Sequence, residues 1–343
     1  MRRRLPRVSK RNPCPICGHD HWCYFLNEHT VVCMRVPSDR PKRASGFGGY
    51  IHRLDGSVEL PAPAPAFESR RAAPAVLDRV YRAFLAQPEL FLALDDYRKF
   101  SEWKLPVEFV KRQGYRRLPL KGRAEVCRRL LKDGYGLEGV PGFYARDGFY
   151  GPYWTFTTGP GLIFPSISPD GKIQGLQVRL DDPRGGGKYL WFSSSDLPGG
   201  ASSGAPWHVA RPAQLVRRVV IITEGIRKAD VVAWHMGALT IGLGGVAAIE
   251  GVSEHVKSLG MPALVAYDMD ILKKAEVFES FRTLIGKLTG NVFVAAWDPK
   301  HKGLDDLLMS GGWPKIIPVS EAMRKISRAR KKLSVPAGAG RPN

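Results

Sequence analysis

Three carboxylates and four thiols are the side chains whose types and spacing point to chemistry in this chain. Glu224 closes the apolar run that begins at Val219, and Asp268 and Asp270 close a second run, from Ala263, about forty residues further on. Both runs are continuously apolar and of strand length, the mark of strands buried on both faces of a parallel sheet. A helical crossover from Ile226 to about His235 is expected between them. The carboxylates then stand at the carboxyl ends of their strands, where open α/β sheets gather ligands. The strand period of two sets Asp268 and Asp270 on one face. Three oxygen ligands suit Mg²⁺ or Mn²⁺, hard ions that keep waters for substrate phosphates.

The thiols are Cys14, Cys17, Cys23 and Cys33, spaced C-x₂-C-x₅-C-x₉-C. The first pair predicts a knuckle that bends two thiolates onto one ion, and Tyr24 to Val32 predicts a hairpin bringing Cys23 to Cys33. A tetrahedral structural Zn²⁺ follows. His19, His21 and His29 lie nearby, so a mixed Cys/His shell is one alternative, and two disulfides are another. With no signal peptide ahead of them, the compartment is expected to be reducing and the location cytoplasmic. The fifth cysteine, Cys127, falls in a helical run from Arg123 to Lys132 and reads as core.

The Glu and Asp-x-Asp pair resembles the TOPRIM domain shared by DnaG-type primases, topoisomerases, OLD-family nucleases and RecR proteins. The resemblance implies that Glu224, Asp268 and Asp270 bind divalent metal and act in phosphoryl transfer. The segment from Trp297 to Leu308 is similar to the late acidic motif of primase TOPRIM domains, which implies a further metal-proximal Asp at Asp305 or Asp306. An Asp there is equally a helix N-cap. Lys228, one turn after Glu224, either reaches a phosphate or stays an exposed helix lysine. Upstream, Gly161 to Ile167, the turn Ser168 to Gly171, and Lys172 to Leu180 read as a β-hairpin followed by Gly187 to Trp191. That order is similar to the amino-terminal subdomain of the DnaG-type RNA polymerase core, and implies that Arg179 and Lys188 line a basic groove facing template and incoming nucleotide. Primases of this type also begin with a zinc module that touches template DNA. Together with Thr-Glu-Gly-x-x-Lys-Ala-Asp and Lys-Gly-x-Asp-Asp-x-Leu, the chain looks most like primase-like proteins of phages, plasmids and other mobile elements.

The elements that must position these groups follow from breaks in pattern. The expected fold is α/β, with a Rossmann-like, mainly parallel TOPRIM sheet preceded by a β-rich subdomain, a helical connector and a zinc-ribbon-like module. The segments are a zinc-binding module at 1–54, a Pro/Ala linker at 55–74 around Pro61 to Ala66, a helical connector at 75–139, the primase-like subdomain at 140–210, the TOPRIM domain at 211–315 and a basic tail at 316–343. Gly185 to Gly187 and Pro198 to Gly204 read as loops, and Gly242 to Gly245 offers backbone amides that could approach a phosphate.

The chain has 343 residues with 52 Lys and Arg against 32 Asp and Glu, a net charge of +20 that favours a polyanionic partner. No run reaches the length of a membrane span. The expected function is a DNA primase that makes short primers on single-stranded DNA from nucleoside triphosphates. The alternatives are a TOPRIM nuclease and a non-catalytic DNA-binding or helicase-recruiting replication protein. No P-loop signature occurs, so unwinding is expected from a replicative helicase in trans.

Overall fold

The computed structural model describes residues 8, 12–20, 23–39, 41–42, 49–55, 71–183, 187–245 and 248–334. The Pro/Ala run, His21, Gly185 and Gly186 lie outside the described residues. The chain forms two compact units, Met1–Glu68 and Ser69–Asn343.

In the first unit, strands β1 (Tyr24–Asn27), β2 (Thr30–Cys33), β3 (Pro41–Lys42) and β4 (Gly49–Arg53) form one antiparallel sheet in the order β1-β2-β4-β3. The expected hairpin is β1 and β2, and it flanks Cys23 and Cys33. Three of the six buried residues of this small core are those cysteines and Cys14; the others are Val8, Phe25 and Val31. A core this thin does not hold a fold without a further cross-link.

The second unit begins with helix α1 (Pro74–Leu85), which starts on a proline and buries Leu77, Val80, Tyr81, Phe84 and Leu85 along one stripe. Helices α2 (Leu94–Glu102) and α3 (Val107–Gln113), strand β5 (Arg116–Leu118) and helix α4 (Arg123–Lys132) follow. Cys127 is buried in α4, where burial pushes its thiol up to about 12. Then come β6 (Phe143–Gly148), β7 (Gly151–Phe156), β8 (Gly161–Ile167), β9 (Ile173–Leu180) and β10 (Tyr189–Trp191). The stretch expected to be helical throughout thus contains a strand. β5 pairs antiparallel with β8 and completes a sheet of order β10-β9-β8-β5. The helices and the β-rich region share one core, in which the Phe84 ring lies 5.1 Å from Phe143 and from Phe156.

The remaining elements are β11 (His208–Ala210), β12 (Arg217–Glu224), α5 (Ile226–Met236), β13 (Ala238–Leu243), α6 (Ile249–Leu259), β14 (Ala263–Val265), α7 (Ala275–Lys287), β15 (Val292–Ala296), α8 (Leu304–Met309), β16 (Lys315–Pro318) and α9 (Val319–Ser334). Their sheet has the order β11-β13-β12-β14-β15-β16. β13, β12, β14 and β15 are parallel, and the two edge strands run antiparallel. The continuous apolar runs have their explanation here: β12 and β14 are central, with Val220, Ile221, Ile222, Ala263, Leu264 and Val265 buried.

Two expectations need correction. β14 ends at Val265, and both aspartates lie beyond it, Asp268 as the N-cap of a 3₁₀ turn spanning Met269–Leu272 and Asp270 on that turn. The period-two argument for a common face therefore does not apply to them. The region read as a basic tail contains β16 and α9, and α9 packs Ala322, Met323 and Ile326 on the sheet core. Its apolar stripe is hidden in the sequence among Arg and Lys. Arg330, on α9, donates to the carbonyls of Ile271 (2.8 Å) and Lys274 (3.1 Å), pinning the turn that carries Asp270.

A buried polar cluster fastens the four-stranded sheet to the six-stranded one. Tyr115 donates to Asp230 of α5 at 2.6 Å, His208 Nε2 lies 3.2 Å from the other oxygen, and the Ile167 N–H donates to His208 Nδ1 at 3.0 Å.

Candidate active site and thiol centre

The four thiol sulfurs lie within 4.8 Å of one another, with Cys17 to Cys23 at 3.7 Å and Cys23 to Cys33 at 3.9 Å. Zn–S bonds of about 2.3 Å in a tetrahedron set sulfurs about 3.8 Å apart, whereas a disulfide needs about 2.05 Å. The geometry is that of a metal shell, and all five cysteines are free thiols. The knuckle is closed by Gly18 N–H donating to the Cys14 carbonyl at 2.8 Å, with Gly18 at φ +70°. Backbone N–H groups of Met34, Arg35 and Val36 point at the sulfurs of Cys23 and Cys33 at 3.3–3.5 Å, as donors that favour thiolates. Burial pushes the Cys14 and Cys23 thiols up. For Cys17 burial also works upward, but the His19 N–H and the neighbouring thiols outweigh it and bring it to about 6. The imidazoles of His19 and His29 have other contacts, His19 with the Cys17 carbonyl and His29 with Glu28. Four close cysteines of this geometry can bind one zinc ion.

The acidic residues meet at the carboxyl edge of the parallel strands. Glu224 ends β12, and its Oε1 accepts from the Asp268 N–H at 3.4 Å. Asp268 is buried and pairs through Oδ2 with Lys228, on the first turn of α5. Asp305, on α8, is buried and pairs through Oδ2 with Arg227 at 2.6 Å. The remaining oxygen of each, Asp268 Oδ1 and Asp305 Oδ1, is buried with no hydrogen-bond partner among the described residues. Both border the bare face of Gly303, where a Cβ would overlap Asp305 Oδ1 and lie 3.0 Å from Asp268 Oδ1. Two orphaned anionic oxygens over a glycine form a cradle that a hard cation would satisfy.

The electrostatics agree. Burial, then Asp268, raises the Glu224 carboxyl, and burial raises Asp268 against the pull of Lys228. Burial works to lower Lys228, yet Asp268 and Asp305 outweigh it and raise it. Asp270 stands at the rim, held down by its bond to Lys274 at 2.7 Å, with Lys302 3.7 Å away. Asp306 faces away from the cradle: its Oδ2 accepts the Gly303 N–H at 3.1 Å and caps α8. Of the two candidates in the late acidic motif, Asp305 joins the cluster and Asp306 is the cap.

A group of cations gathers near Arg227. Register in the four-stranded sheet sets Arg179 beside Tyr189, next to Lys188. Repulsion from Arg179, then burial, depresses the exposed Lys188 ammonium, and Arg227 and Lys99 add to it. Arg179 Nε is buried without a hydrogen-bond partner among the described residues. An exposed ammonium under repulsion from neighbouring cations, close to a carboxylate cradle, suits a ligand rich in phosphate. Sequence reasoning missed Arg227, Gly303 and Trp103. The Trp103 ring carries the guanidiniums of Arg227 at 5.0 Å and Arg179 at 5.6 Å, so it links the two halves of the site. Arg227 was legible as the neighbour of Lys228; Trp103 gave no local signal. The Gly242 to Gly245 stretch has a packing role: a Cβ at Gly242 would meet the Gly225 carbonyl at 2.5 Å, and one at Gly244 would overlap Ala205.

No family model and no curated protein matches the sequence. Solved structures do match the fold. The RNA polymerase domain of Mycobacterium tuberculosis primase DnaG, in complex with double-stranded DNA bearing a 6-nucleotide overhang, aligns with 76% of this chain and 81% of its own, at 17% identity and a TM-score of 0.52. The same domain alone aligns with 77% of this chain and 95% of its own, at 16% identity and a TM-score of 0.52. At such identity the likeness is one of fold: a mixed α/β architecture of the primase RNA polymerase domain extends over about three quarters of the chain.

Proposed function

We propose that the protein is a DNA primase with a TOPRIM catalytic domain, synthesising short primers on single-stranded DNA by nucleotidyl transfer. The observation that supports it is the pairing of two orphaned carboxylate oxygens, on Asp268 and Asp305, with the cationic group of Arg179, Lys188 and Arg227 in one site. Glu224, Asp268 and Asp305 would hold Mg²⁺ or Mn²⁺, with Asp270 at the rim. Bound there, such ions supply charge neutralisation for a triphosphate and for the 3′ oxygen that attacks it. The chain's own groups do the rest. Arg179 and Lys188 orient the nucleotide phosphates, and their mutual repulsion is relieved when an anion arrives. Arg227 and Lys228 hold Asp305 and Asp268 in place, so the carboxylates are preorganised rather than free to rotate. The cysteine module, carrying zinc, would hold template, and a replicative helicase would act in trans.

The test incubates labelled nucleotides with single-stranded DNA and Mg²⁺ or Mn²⁺. New oligonucleotides are expected. Asp268→Asn should abolish them while DNA binding survives. Full synthesis by that variant would remove Asp268 from the site, and a wild type that only shortened the template would make the protein a nuclease.

A further inference from the structure

A second place in the molecule has the chemistry of a nucleotide-binding surface and is not used by the proposed reaction. It is an open cleft of about 740 Å³ whose lining includes Trp297, His301, Trp313, Lys300, Lys315 and Lys325 and none of Glu224, Asp268, Asp270 and Asp305. Its aromatic walls are held in place rather than merely exposed. Trp297 Nε1 donates to the His301 carbonyl at 2.9 Å. Trp313 is presented by a Gly311-Gly312 turn: Gly311 has φ +85°, the Gly312 N–H donates to the Leu307 carbonyl at 3.0 Å, and a Cβ on Gly312 would meet Leu307 at 2.5 Å. The Arg217 guanidinium stacks 4.8 Å from the Trp313 ring and is itself anchored to the Met236 carbonyl at 2.6 Å. Despite this support Trp313 is 55% exposed, a large indole surface left to water.

The charges around it are unequal. Lys325 pairs with Glu321 and Lys300 lies 3.8 Å from Asp298, whereas Lys315 has no carboxylate partner among the described residues. An unpaired cation beside a rigid, half-exposed indole is the combination that takes a base on the ring and its phosphate on the ammonium. An apolar ligand would leave the lysines unsatisfied, and an acidic peptide would leave the indole uncovered. The cleft is also coupled to the acidic site through one loop. Lys302 stands 3.7 Å from Asp270, and its carbonyl accepts the Met269 N–H at 2.8 Å.

We infer that this cleft binds a segment of single-stranded nucleic acid, with a base stacked on Trp313 and a phosphate at Lys315, beside the acidic site and on a separate surface from it. Binding is read without added Mg²⁺ and without nucleotides, so the outcome does not depend on whether the acidic site is catalytic.

The experiment measures fluorescence anisotropy of a labelled oligo-dT with the full, zinc-loaded chain over a range of salt. Trp313→Ala should weaken binding about tenfold or more, and Trp313→Phe, which keeps a stacking face, should restore most of it. Lys315→Ala should lower the slope of log affinity against log salt by about 0.7, one single-strand phosphate contact. Photocrosslinking with 4-thiothymidine should label the peptide containing Trp313. Oligonucleotide affinity of Trp313→Ala within about twofold of wild type would overturn the inference, since stacking on one aromatic ring contributes more than that. A variant that lost affinity for ATP alone, and kept it for the oligonucleotide, would overturn the strand assignment in favour of a free nucleotide.

Discussion

Gly303→Ala probes the acidic cradle without changing its charge. The backbone there is extended, at φ −121° and ψ 166°, a conformation alanine adopts freely. Alanine is a poorer N-cap than glycine by about 1 kcal/mol, and it costs the unfolded chain about 0.4–1 kcal/mol of freedom, so the two backbone effects nearly cancel. What remains is the added methyl group, which overlaps Asp305 Oδ1 and crowds Asp268 Oδ1. Asp305 must rotate, and its bond to Arg227 at 2.6 Å is then lost or lengthened. A buried hydrogen bond between charged groups contributes about 1.5–3 kcal/mol. At about 1.4 kcal/mol per factor of ten, Mn²⁺ affinity should fall by about 10- to 100-fold. Titration of the zinc-loaded protein with Mn²⁺, read by electron paramagnetic resonance of the free ion, measures this. Asp306→Asn is the control, because it loosens only the α8 cap and should leave Mn²⁺ affinity as it is. Equal Mn²⁺ affinity in Gly303→Ala and wild type would refute the cradle, and so would an equal loss in both variants.

Two further outcomes are expected. Cys14→Ser, or removal of zinc by a chelator, should abolish amide-exchange protection in β1, β2 and β4 and leave α1 to α9 protected. Valine and phenylalanine burial in that module contributes about 2 kcal/mol per side chain, against about 10–16 kcal/mol from zinc in comparable sites. In Glu224→Gln, metal-free, the melting temperature should rise relative to wild type at neutral pH. The folded Glu224 carboxyl is raised by burial and by Asp268, so its favourable contribution is present below its unfolded value near 4.5 and is lost as pH rises through the folded one. The difference between the two proteins should therefore vanish in acid; a difference that grew as pH fell would reverse the sign of the argument.

What was legible in the sequence was legible for local reasons. Continuous apolar runs ending in Glu224 and in Ala263–Val265 announce central parallel strands, and the cysteine spacing announces a knuckle and a hairpin. The orientation of Asp268 and Asp270 was not legible, because the strand stops short of them and a 3₁₀ turn sets their directions. β5 is three residues long in a basic segment, too short to carry a period. α9 reads as a solvated tail because its apolar stripe is narrow and the basic residues crowd it. Trp103, more than a hundred residues from Arg227, acts through tertiary contact alone.

Four consecutive residues at the start of α5 have an effect that no single contact conveys. Arg227 and Lys228 hold the two buried aspartates, while Asp230, less than a turn away, takes Tyr115 from the neighbouring sheet and His208 from the edge of its own. That short stretch of helix is a keystone: the carboxylates, the cationic group and both sheets are indexed to the same rigid turn. Parting the two sheets here means breaking the Tyr115 bond to Asp230, and that bond is anchored on the same helical turn that orients the acidic cluster. The rim lies outside this set of ties: Lys188 and Lys302 are exposed, and Asp270 is held from its own turn by Lys274.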